Sequence, residues 1–126
     1  MKILVFGNPM VEKDSLALKL IPKLKKYFSG KFDFVEFDST EDLQKQGRNL
    51  LILDVVEGLE KVEIIDDLSK LSKEKVYSMH DFDLSHNLRM LKHIGLLDSV
   101  KIIGLPMQMN EEKAFLEICK LLKNEF

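Results

Sequence analysis

Hydrophobic and polar positions follow two periods along this chain, and the periods exchange in a regular order. Ile3, Leu4, Val5 and Phe6 make residues 2–7 a first strand, broken by Gly7, Asn8 and Pro9. Leu16, Leu20, Leu24 and Phe28 then recur at helical spacing and predict a helix over 16–28 that Asp14 and Ser15 can cap. Pro22 falls inside that helix and predicts a kink, or a restart with the proline near a first turn. Residues 32–37 alternate apolar and polar side chains, as a strand near a sheet edge does. Residues 40–46 form a short helical connection. The longest strand pattern, over 49–56, is apolar almost throughout, which is how a central strand buried on both faces reads.

Shorter strands are predicted at 62–65 and 76–79, with a Lys- and Ser-rich surface segment over 68–75 between them. Leu84, Leu88, Leu91 and Ile94 mark a second amphipathic helix, and Gly95 is placed to end it. Residues 100–105 read as the last core strand, stopped by Pro106. A closing helix over 111–123 turns Phe115, Leu116, Ile118, Cys119 and Leu122 inward. Strands alternating with helices predict one domain over residues 1–126, a three-layer α/β/α fold around a mainly parallel twisted sheet of about five strands.

Composition narrows the function classes. A chain of 126 residues can build a core without crosslinks. Its net charge of −2, with 32% charged residues of mixed sign, provides no basic field, so nucleic acid is not an expected partner. No stretch reaches membrane-spanning length and no secretory signal pattern opens the chain, which predicts a soluble, cytoplasmic protein with no membrane insertion. Composition does not set the oligomeric state, and a monomer is the default expectation. The single cysteine, Cys119, excludes an internal disulfide and a Cys-rich zinc site, so any metal would be held by Asp, Glu or His.

Asp54 is the residue that asks for an explanation, because it ends the apolar run of the central strand, where an ionised group is expensive unless it is partnered. In open α/β sheets ligands bind beyond the carboxyl ends of the strands, so polar residues just after strands come first. Three segments qualify: residues 7–14 after the first strand, Asp54 itself, and His80-Asp81 after the strand at 76–79. Two carboxylates and an imidazole from separate segments suit a divalent-metal site with open positions. Phosphate chemistry is the rival. A third strand ending in Asp54 resembles a response-regulator receiver with a phosphoacceptor aspartate, but Gly7-Asn8 stand where receivers carry an acidic pair and Leu105-Pro106 where they carry Lys-Pro. A dinucleotide or P-loop reading lacks its glycines, Gly7 being alone near the first turn.

Taken together the three segments resemble the hydrogenase maturation protease family, nearly end to end. Residues 7–15 are similar to its first motif, a strand followed by Gly-Asn and an acidic residue opening a helix. An apolar strand ending in aspartate is its second, and a histidine after a small polar residue, here in Ser78-Met79-His80, its third. The resemblance implies that Asp14, Asp54 and His80 are metal ligands and catalytic residues, and that the metal is nickel carried by the substrate precursor. It implies an endopeptidase, a hydrolase of the aspartic-type class in hydrogenase maturation, that removes the C-terminal extension of a nickel-iron hydrogenase large subunit. The alternative under the same resemblance is a non-catalytic assembly factor that binds a hydrogenase subunit.

Plainer roles stand beside these. Asp14 is also a suitable helix cap, Asp54 a suitable strand-end hydrogen bonder, and His80 an ordinary loop histidine. Asp81 and Asp83 flank His80 and either orient it or cap the following helix. His86 and His93, seven residues apart, suit a surface role. Lys19, Lys23, Lys25, Lys26 and Lys31 read as a solvated face. Met10, Met107 and Met109 fall in loops at predicted strand ends, where flexible thioethers either fill gaps or line a groove for a peptide.

Overall fold

The computed structural model describes residues 1–7, 15–37, 43–66, 78–79 and 82–126. In chain order the elements are β1 (Lys2–Val5), α1 (Leu16–Tyr27), β2 (Asp33–Glu36), a 3-10 turn (Leu43–Gln46), β3 (Asn49–Glu57), β4 (Glu63–Ile65), β5 (Ser78–Met79), α2 (Phe82–His93), β6 (Ser99–Leu105) and α3 (Glu111–Glu125). Strand order across the sheet is β2-β1-β3-β6-β4, with β5 added to β3. β1, β2, β3 and β6 run parallel, and β4 and β5 are antiparallel to their partners. The mainly parallel α/β sheet is therefore the one its strand and helix pattern predicts, with β2 at one edge. An antiparallel β4 at the other edge also separates it from an all-parallel receiver-like sheet.

β3 is the axis of the molecule. Every residue from Leu50 to Val56 is buried, because helices cover both faces of a parallel sheet. Ile3, Val5, Leu51, Leu53, Val55 and Ile103 pack under α1 and α3, whereas Leu4, Ile52, Val56, Val100 and Ile102 pack under α2 with Leu84 and Leu88. Period-two alternation along the strands divides the two cores. Each leucine sealed in this way contributes about 2 kcal/mol of transfer free energy. Phe28, Phe32 and Phe34 close the β2 edge, with the first two in edge-to-face contact at 5.3 Å.

Some predicted details change. α1 runs continuously through Pro22 instead of restarting there; the proline is exposed, so the carbonyl its missing N–H leaves behind lies on the water side. Ile94 is 56% exposed in the turn that follows α2, and Leu116, 62% exposed, lies off the buried stripe of α3. α2 ends in a Schellman arrangement, with Gly95 N–H donating to the Lys92 carbonyl and Leu96 N–H to the Leu91 carbonyl, around Gly95 at φ +83°. The predicted surface segment 68–75 and residues 76–77 of the next strand lie outside the described residues.

Candidate functional site

The carboxyl end of the sheet collects the polar groups that the core excludes elsewhere. Among the described residues the buried polar side chains are Ser15, Asp54 and Ser85. Ser15 precedes α1, which follows β1. Ser85 lies in the first turn of α2, which follows β5, and β5 pairs with the far end of β3. All three therefore lie toward the end where parallel α/β sheets place their ligands. The sequence reads Ser15 only as a helix cap and gives no signal at Ser85, since a serine near a helix start is ordinary capping chemistry.

Asp54 is 1% exposed. It closes the apolar run but not the strand: β3 continues through Glu57, one residue beyond the predicted 49–56, because Val55 pairs with Leu105 of β6 and Val56 with Met79 of β5. On the other side the β1 ladder does stop beside it, its last steps being Val5 opposite Leu53 and the Phe6 N–H bonded to the Leu53 carbonyl at 3.0 Å. Asp54 is thus internal to its own strand and terminal to the β1–β3 ladder. Strand alternation puts its side chain on the α2 face, with Leu4, Ile52 and Val56. Its Oδ1 accepts the Val55 N–H at 2.8 Å, which fixes the carboxylate against its own backbone. A carboxylate so desolvated is costly to keep unless other groups meet its charge, so its place in the core points to a task.

Gly104 stands directly opposite Asp54 in the β3–β6 ladder. A Cβ there would come within 2.6 Å of Leu59 Cδ1 and 3.1 Å of Val56 Cγ2. The missing side chain lets Leu59 fold down over β6 beside the aspartate. A glycine flanked by Ile103 and Leu105 in an apolar strand was a readable signal of such a close approach.

Of the three residues the sequence nominates, the described structure places only Asp54. Asp14 and His80 lie outside the described residues, as do Met10 and Asp81. Their described neighbours are placed: Gly7 and Ser15 flank the first segment, and Met79 pairs opposite Val56, two residues along β3 from Asp54. Among the described residues no three His, Cys, Asp or Glu side chains form a metal-binding group. No helix among them is long and apolar enough to cross a membrane.

Fold and site together define an α/β/α domain with a buried carboxylate at the edge where its central parallel ladder ends. The same fold occurs in a solved structure described as the crystal structure of the hydrogenase 3 maturation protease, with a TM-score of 0.61 and 19% sequence identity over 97% of this chain and 88% of that one. No family model and no curated protein sequence matches the chain. At that identity the likeness establishes the shared fold.

Proposed function

We propose that the chain is a metal-dependent endopeptidase that removes the C-terminal extension of a nickel-loaded hydrogenase large-subunit precursor. The observation that carries this reading is Asp54, a carboxylate 1% exposed beside the end of the β1–β3 ladder. It is supported by a fold shared with a hydrogenase 3 maturation protease and by the three-segment motif that Asp14, Asp54 and His80 complete.

Nickel belongs here to the substrate. The proposed donor set, two carboxylates and an imidazole, suits a divalent ion of that kind, and Asp54 fits the part because Val55 N–H already fixes one of its oxygens. When bound, such an ion supplies Lewis acidity toward the scissile carbonyl or toward an attacking water. The chain's own part is orientation. Asp54 would hold its side of the ion from a rigid strand. Asp14 and His80 would close around it from the segments that follow β1 and β5. Burial in the sheet keeps bulk water from competing for the aspartate.

Cleavage of a nickel-loaded precursor, followed by intact mass, tests the reading with Asp14→Ala, Asp54→Asn and His80→Ala variants whose circular dichroism matches the parent. Loss of cleavage in all three supports the assignment. Parental rates in all three would overturn it.

A further inference from the structure

The lysines of α1 are charge that the fold leaves unused. Between Asp14 and Asp33 the chain carries Lys19, Lys23, Lys25, Lys26 and Lys31 and no carboxylate; against a net charge of −2 for the whole chain, +5 here leaves −7 for the remainder. All five are exposed, and among the described residues none is ion-paired. Lys25 and Lys26 lie in the last turn, where ammonium groups complement the helix dipole. Lys19 and Lys23 have no such role. Four residues apart on the outer side of α1 they repel each other, and Lys26 extends the same row to about 10 Å. A helix side that serves only solubility is more stable with carboxylates interleaved among its lysines, and α1 has none. Tyr27 closes the row: it is 50% exposed, held edge-on to Phe115 at 5.8 Å, with its hydroxyl accepting from Lys123 of α3.

We infer that this side of α1 docks a protein partner through a compact carboxylate-rich surface, with Lys19, Lys23 and Lys26 facing its carboxylates and Tyr27 giving the apolar contact at the end of the row. Charge complementarity selects an anion. The short reach of the row selects a protein. A bilayer or a nucleic acid extends well beyond it and would also meet the acidic remainder of the chain. Membrane binding by a helix further requires apolar side chains to insert beside the lysines, and Leu16, Leu20 and Leu24 are buried in the core instead. Arginine, the side chain best matched to phosphate, is absent from α1. Asp54 lies on the α2 side of the sheet, so a partner on α1 leaves it uncovered whatever reaction the chain performs.

The test uses the full chain labelled with ¹⁵N. It is titrated with a synthetic helical peptide bearing glutamates along one side, with the same peptide bearing lysines there, with vesicles of phosphatidylcholine and phosphatidylserine, and with a short DNA duplex. The glutamate peptide should move the amide signals of Lys19, Lys23, Lys26 and Tyr27, leave those of α2 in place, and lose its effect as salt is raised. Lys19→Glu should weaken that binding about tenfold, since it replaces an attraction by a repulsion, and Lys23→Gln by less. The same Lys19→Glu should raise Tm, because a Glu–Lys pair at i,i+4 replaces two like charges; a side chain that serves folding alone would not lose binding while gaining stability. Equal response to both peptides, signals moving only outside α1, tighter binding of the vesicles or the duplex than of the glutamate peptide, or undiminished binding by both variants would overturn the inference. A lowered Tm for Lys19→Glu would overturn the self-repulsion on which it stands.

Discussion

Gly104→Ala probes the packing that seats Asp54, with one added methyl group. The new Cβ would lie 2.6 Å from Leu59 Cδ1 and 3.1 Å from Val56 Cγ2, well inside ordinary van der Waals contact. Val56 is fully buried and β-branched, so it has little room to turn. Leu59, 8% exposed, must give way, and with it the turn that follows β3. Overpacking of this kind costs about 1–3 kcal/mol, which for a domain of this size lowers Tm by roughly 3–10 °C. Urea unfolding followed by circular dichroism measures it. The structure makes a sharper demand through a second substitution. Leu59→Ala costs about 2 kcal/mol alone, but it removes the atom that meets the new Cβ, so the double variant should recover about 1 kcal/mol relative to the sum of the singles. Additive losses, or a Gly104→Ala variant as stable as the parent, would refute the proposed contact.

Gly95→Ala should cost about 1 kcal/mol through backbone strain alone, since its φ of +83° is left-handed and nothing lies within 4 Å of an added Cβ; thermal melting checks this. Cys119, 6% exposed and with its thiol pKa pushed up chiefly by burial, should resist Ellman's reagent at neutral pH in the native state and react once urea unfolds the chain. The Asp98 carboxyl should titrate below the usual carboxylate range, because Arg48 donates to it at 2.9 and 3.0 Å. A depressed folded pKa means that the pair's contribution is present above the unfolded pKa and fades as pH falls through the folded one. Carboxyl NMR titration of Arg48→Ala should return Asp98 toward its ordinary value.

The parts of the fold that were legible in the sequence are those where one physical term dominates. β3 was visible because a strand covered on both faces must be apolar at nearly every position, and α1 because Leu16, Leu20 and Leu24 repeat with the helix. The end of β3, predicted at residue 56, falls at Glu57, but the reason it runs past Asp54 was not legible. Asp54 looks like a stop, yet its neighbours continue the ladder because β6 and β5 supply partners for Val55 and Val56, and those partners are remote in sequence. The direction of β4 was available in principle. Five residues, 58–62, separate β3 from β4, too few for the crossover that a parallel strand needs. Leu116 was misjudged because an apolar residue one step off a helix stripe is exposed as readily as a polar one. At the site, Asp54 was legible as a charge in an apolar run. Gly104 was passed over because its significance lies in Leu59, which reaches it from a separate loop.

The most direct test separates holding the substrate from cutting it. Nickel-loaded hydrogenase precursor is mixed in excess enzyme with the parent chain or with Asp54→Asn, and both the complex and the intact mass of the precursor are followed in one turnover. The account predicts that the parent shortens the precursor at its C-terminus and that Asp54→Asn, folded like the parent, leaves its mass unchanged. Cleavage by Asp54→Asn at the parental rate, or no cleavage of a precursor that the parent binds, would contradict it.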